Sequence, residues 1–104
     1  MAGGMANMQQ MMRKMQKMQK QVENTQKELE AKEFTGKEPS GMVEAIMTGD
    51  KKMKAINIQP DAVDPEDVDM LQDLIITAVN DGLSQVEKET SNMMGQYTKN
   101  IPGF

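Results

Sequence analysis

The stretch MANMQQMMRKMQKMQKQVENTQKELEAK, Met5 to Lys32, contains neither Pro nor Gly and is mostly Met, Gln, Lys and Glu, all good helix formers. Its apolar residues keep a seven-residue period. Met8, Met15, Val22 and Leu29 occupy one heptad position; Met11, Met18 and, weakly, Thr25 occupy a second. Such a stripe predicts a helix-packing or dimer seam made by Met8, Met11, Met15, Met18, Val22 and Leu29. At 1.5 Å rise per residue the stretch is a rod about 42 Å long. A compact domain of this size has a radius of gyration of only about 13 Å. The rod therefore either overhangs its own domain or lies against a second chain.

The 104 residues fit one domain, 1–104. Apolar residues make up 38% and aromatics 3%, and Trp is absent, so the core is small and self-association to bury more surface is expected. With no Cys there are no disulfides, thiolate metal sites or thiol nucleophiles. With no His the usual general base and the commonest metal ligand are missing. No Gly-rich phosphate loop, nucleophile elbow or metal-spaced carboxylate set is visible. We expect no enzyme, no cofactor, no metal and no small-molecule substrate. No apolar run reaches membrane-spanning length, and Gln and Lys interrupt the methionines where a secretory segment would need an apolar core. Residues 1–22 are basic and acid-free like a transit peptide, but they lack Ser and hold one Arg. The expectation is a soluble cytoplasmic protein with no membrane partner.

The net charge of −4 hides two poles. Residues 1–22 carry Arg13, Lys14, Lys17 and Lys20 and no acid. Residues 61–90 carry nine acids against Lys88. Arg13, Lys17 and Lys20 fall on one flank of the predicted helix, with Lys14 beside them. Cations on a rod can contact successive phosphates and release counterions. Gln9, Gln10, Gln16 and Gln19 add hydrogen-bonding capacity. Without interleaved aromatics a single-strand stacking platform is disfavoured. Two plainer readings compete: the cations are a solvated coiled-coil flank, or the acidic helix neutralises them. The methionines have a soft-metal reading and a peptide-groove reading, but the heptad register already accounts for them. The acids Asp61, Asp64, Glu66, Asp67 and Asp69 lack the spacing of a calcium loop and read as capping and a solvated face.

After a flexible end at 1–4 and the long helix, the pattern turns to β. The reading is a strand at 33–38, a turn at Pro39-Ser40-Gly41, a strand at 42–48 with Val43, Ala45 and Met47 on one face, a two-residue Gly49-Asp50 turn, and a return strand at 52–59 whose Ile56 and Ile58 share a face. A three-stranded antiparallel meander has two exposed edges, either of which can pair with another chain. Asp64-Pro65-Glu66-Asp67 reads as a helix start with Asp64 as N-cap and Pro65 first. Val68, Leu71, Ile75, Ala78, Val79, Gly82, Leu83 and Val86 then form a broad apolar face, with helix to about Thr98 and Gly95 as a candidate break. Residues 99–104 read as a flexible tail. The class is α+β: an α-β-β-β-α protomer with the meander between two long helices.

Several of these residues form a recognisable set. A Met/Gln/Lys-rich first helix precedes E-x-T-G (Glu33, Thr35, Gly36) and a strand ending I-x-P (Ile58, Pro60). The last helix reads D-x-x-x-L-x-D-L-I-x-x-A-V-N-D (Asp67, Leu71, Asp73, Leu74, Ile75, Ala78, Val79, Asn80, Asp81), and the tail ends P-G-F. The chain resembles the YbaB/EbfC family of bacterial nucleoid-associated proteins over nearly its whole length. The resemblance implies a homodimer with a tweezer-like outline, duplex DNA as partner with modest sequence preference, roles in nucleoid organisation and gene regulation, and a cytoplasmic, nucleoid-associated location. It implicates helical arms in DNA contact, which places Arg13, Lys14, Lys17 and Lys20 at the DNA. The alternative is a coiled-coil-type interaction scaffold that does not touch DNA.

Overall fold

The computed structural model describes residues 2–98; Met1 and residues 99–104, with the P-G-F tail, lie outside the described residues. The elements are α1 (Ala2–Ala31), β1 (Glu33–Lys37), β2 (Val43–Thr48), β3 (Met53–Ile58), a 3-10 turn at Pro60–Ala62, and α2 (Val68–Thr98). This is the expected α-β-β-β-α order. Helix α1 begins at Ala2, three residues ahead of the expected start, and α2 runs through Gly95 without a break.

The strands form one antiparallel sheet in the order β1-β2-β3. Phe34 pairs with Met47 and Gly36 with Ala45, while Val43 pairs with Ile58 and Ala45 with Ile56. Directly opposed residues share a face. One face of the sheet therefore carries Phe34, Gly36, Val43, Ala45, Met47, Ile56 and Ile58. The alternation expected in β2 is present: Val43, Ala45 and Met47 are buried and the residues between them are half-buried.

The β2–β3 turn differs from the two-residue form expected. Lys51 N–H donates to the Thr48 carbonyl at 2.9 Å, and Thr48 N–H to the Lys52 carbonyl at 3.0 Å. Gly49-Asp50-Lys51 is thus a three-residue loop, and the left-handed position falls on Lys51 (φ 64°) instead of Gly49. Gly49 serves a different need: a Cβ there would lie 1.8 Å from the Leu29 carbonyl oxygen, where α1 crosses the turn. Because a lysine pays for its left-handed backbone, Lys51→Gly is expected to raise stability by about 0.5 kcal/mol in denaturant titrations.

The β1–β2 turn is built on Glu38, which is buried. Its carboxylate accepts from the Ser40 hydroxyl, from Ser40 N–H and Met42 N–H at 2.7 Å each, and from Val43 N–H at 3.3 Å. The Ser40 hydroxyl, helped by these backbone N–H groups and against the opposing effect of burial, holds the Glu38 carboxyl below the ordinary glutamate range. Stability from this cage is present in full above that range and is lost as pH falls through the depressed folded value. Glu38→Gln aims an amide donor at a ring of donors. Thermal melts at pH 7 are expected to show the variant about 5 °C or more below wild type, the gap narrowing toward pH 3.

Helix α2 lies across β1 and β2. Ala78, Gly82 and Val86, each four residues apart, point into the sheet and are buried; Leu71, Leu74, Ile75, Val79 and Leu83 pack beside them half-covered. Two glycines set the closeness of this contact. A Cβ on Gly36 would stand 2.1 Å from the Ala78 carbonyl oxygen and 2.4 Å from Gly82 N, and a Cβ on Gly82 would meet the Met47 methyl at 2.3 Å. The helix starts later than expected. Asp64 caps a separate turn, accepting from Glu66 N–H at 2.9 Å, and Asp67 is the N-cap of α2, accepting from Met70 N–H at 3.1 Å. Two Asp residues three apart can each cap, and the one whose carboxylate reaches the third helical N–H sets the boundary.

One sheet edge is closed. The free side of β1 is bonded by α2: Asp81 accepts from Lys37 N–H at 2.9 Å, and the Gln85 amide donates to the Thr35 carbonyl at 2.8 Å and to Asp81 at 3.0 Å. Of the two open edges expected, β3 is the one left open among the described residues. Its Met53, Ile56 and Ile58 are 36–48% exposed although they share the face that α2 covers elsewhere.

Candidate nucleic-acid interface

Helix α1 returns antiparallel along α2 for only part of its length. Lys32 pairs with Glu89 at 3.2 Å, and Thr25 shares a 2.9 Å hydrogen bond with Tyr97, whose hydroxyl also lies 3.5 Å from the Gln21 carbonyl. The described part of α2 reaches Thr98, one residue further on. Residues 4–21 of α1 are exposed, and among the described residues no ion pair or side-chain hydrogen bond holds the helix before Gln21. Residues 2–20 form a helical arm about 28 Å long. The molecule measures 81 × 24 × 15 Å with a radius of gyration of 21.4 Å, far above the ~13 Å of a compact domain of this size. The rod overhangs its domain.

This geometry divides the expected seam. Leu29 is 5% exposed in the core and Val22 is half-buried, so that end packs on the chain's own body. Met8, Met11, Met15 and Met18 are 64, 63, 68 and 37% exposed. The four methionines lie beyond the described part of α2, which leaves them exposed in the protomer. Met15, Met18, Gln19 and Val22 line a shallow apolar groove.

Arg13, Lys14, Lys17 and Lys20 are all exposed on the arm. Helical periodicity puts Arg13, Lys17 and Lys20 about 180° around from the methionine stripe, with Lys14 on the shoulder. The ion pairs among the described residues are Lys32–Glu89, Lys37–Glu44, Lys52–Asp50 and Lys54–Glu33. None involves the arm, so the acids of residues 61–90 do not neutralise the four cations within one chain. Lys32, by contrast, is occupied twice: besides Glu89, its ammonium lies 5.7 Å from the Phe34 ring centroid. Among the described residues no group of His, Cys, Asp or Glu is spaced to hold a metal, and no helix is long and apolar enough to cross a membrane.

Sequence reading missed two groups that position the site. Asp81 and Gln85 hold α2 against β1, and Tyr97 clasps α1 where the arm leaves the body. Only Asp81 carried a signal, as part of the V-N-D string.

The α+β body thus carries a projecting helix whose four exposed cations have no ion-pair partner, which leaves them open to an anionic partner. The chain belongs to the YbaB/EbfC DNA-binding family, whose profile matches residues 5–101. It is 57% identical to a nucleoid-associated protein of Pediococcus pentosaceus and 55% identical to one of Enterococcus faecalis, in both cases over all of each chain. An uncharacterised protein from Helicobacter pylori has the same fold, with a TM-score of 0.62 at 24% identity over 76% of this chain and 92% of that one.

Proposed function

We propose that the protein is a non-enzymatic, nucleoid-associated homodimer that binds duplex DNA through Arg13, Lys14, Lys17 and Lys20, and so contributes to nucleoid organisation and gene regulation. The observation that carries this is the arm: four exposed cations, none ion-paired, on a helix that leaves the body. Family membership and the names of the relatives support DNA as the polyanion and the nucleoid as the place. Phosphate contacts from one short row favour register and shape over base reading, hence low to moderate sequence preference.

What the protomer leaves uncovered supports homodimerisation. The free β3 edge, its Met53, Ile56 and Ile58, and the half-covered side of α2 at Leu71, Ile75 and Val79 make an apolar surface that a second copy would close. Arg13 to Lys20 span only about 10 Å of helix rise, so one arm neutralises few phosphates and two double the count. Sedimentation at micromolar concentration is expected to give a dimer mass, and Ile56→Lys/Ile58→Lys a monomer; a monomeric wild type removes the dimer.

DNA binding is tested by titrating a short labelled duplex. Replacing all four cations by Gln is expected to weaken binding at least 100-fold at low salt. A variant that binds like wild type shows that the arm is not the site. A wild type with no salt-sensitive DNA binding and a defined protein partner favours the scaffold alternative.

A further inference from the structure

The methionine face of the arm is an exposed apolar stripe that the proposed DNA contact does not use. We propose that it docks the arm of a second copy, from a neighbouring DNA-bound molecule, so that arms pair through their methionines while their opposite faces hold phosphate. The proposal rests on the reading of the arm as the DNA-binding element.

The first argument is continuity. Leu29 and Val22 belong to the same heptad face and are covered by the chain's own α2. The stripe continues beyond the described part of α2 through Met18, Met15, Met11 and Met8 with unchanged spacing, and all four are exposed. A face that packs as a helical seam at one end is chemically the same seam at the other, and what fits a heptad face is another heptad face. A second copy of the arm supplies one.

The second argument is charge. Arg13, Lys17 and Lys20 lie on the far side of the helix from the stripe and Lys14 at its shoulder, so pairing leaves the first three free for phosphate. Two free arms, each with four cations and no acid in residues 1–22, repel. Bound phosphates neutralise that repulsion. The third argument is size. About three turns of paired helix hide less than the ~1,200 Å² of a stable interface, so arms pair weakly in solution. Neighbouring molecules on one duplex gain the effective concentration that makes such a contact count. The result is cooperative loading of long DNA.

The test compares wild type with Met8→Gln/Met11→Gln/Met15→Gln/Met18→Gln, which keeps every charge and a good helix former at each position. On a duplex holding one dimer the variant is expected to bind within about twofold of wild type. On a long duplex its Hill coefficient is expected to fall to about 1 and its apparent affinity about tenfold. The chain has no native cysteine. Met11→Cys, Met15→Cys or Met18→Cys, one at a time with a short bismaleimide, is expected to cross-link copies on long DNA and not without it. Unchanged cooperativity of the Gln variant, or equal cross-linking without DNA, overturns the proposal. So does a proportional loss on the short duplex, which would mean that the methionines touch DNA. A wild type that binds neither duplex overturns the DNA-binding reading itself, and this coupling with it.

Discussion

Gly36→Ala is expected to cost about 3 kcal/mol or more and to lower the thermal midpoint by roughly 15 °C. The added methyl would stand 2.1 Å from the Ala78 carbonyl oxygen and 2.4 Å from Gly82 N. Both are helix backbone, and neither can swing aside as a side-chain tip would. The whole of α2 has to lift, and Ala78, Gly82 and Val86 leave the sheet together. Lifting also breaks the bonds from Asp81 and Gln85 to the β1 edge. Small domains hold only about 5–15 kcal/mol in total, and this core has eight buried apolar residues among those described, so the loss is a large fraction. Gly95→Ala is the control of opposite sign. A Cβ there has nothing within 4 Å, so the variant gains helix propensity and about 0.5–1 kcal/mol. If both variants shift stability the same way, the close strand–helix approach is not what Gly36 provides.

Neutralising the arm is expected to have the largest effect on function. Each phosphate contact contributes about 0.9 to the slope of log affinity against log salt. Four cations per arm and two arms in the proposed dimer predict a slope near −7, hence about a 10⁴-fold loss of affinity between 50 and 200 mM salt. Removing one cation from each arm takes away two contacts and flattens the slope by about 1.8. Cations on the body act as controls. Lys32, Lys37 and Lys54 are already paired with Glu89, Glu44 and Glu33, and Gln at these positions is expected to change the slope by less than about 0.5.

Much of this was legible in the residues, and what was not shares a cause. The period of β2 shows its buried face because alternation is local. Pro39-Ser40-Gly41 and Pro60 mark the strand ends for the same reason. Gly49 was misread because a glycine in a turn suggests its own backbone freedom; its actual constraint is the Leu29 carbonyl, twenty positions back. Glu38 read as a strand end, yet its carboxylate is the centre of the turn, a role that the nearby Ser40 could have signalled. Closure of the β1 edge by Asp81 and Gln85 depends on helix-to-strand register, which no local pattern carries. The heptad stripe suggested a seam but not what lies against it, since that depends on how α2 runs beside Thr25. Spacing put the four cations on one stretch of helix but left a solvated flank as the plainer reading, and only the family resemblance pointed them at DNA; the structure adds that they are exposed and not ion-paired with the acidic pole within the chain.

The most direct measurement is the salt dependence of binding to one short duplex, made for wild type and for Arg13→Gln/Lys14→Gln/Lys17→Gln/Lys20→Gln. A basic arm that meets phosphate predicts a steep wild-type slope, near −7 for the dimer, that collapses toward zero in the variant together with the affinity. A variant that keeps both the wild-type slope and the wild-type affinity would contradict the account, because the phosphate contacts would then lie elsewhere on the molecule.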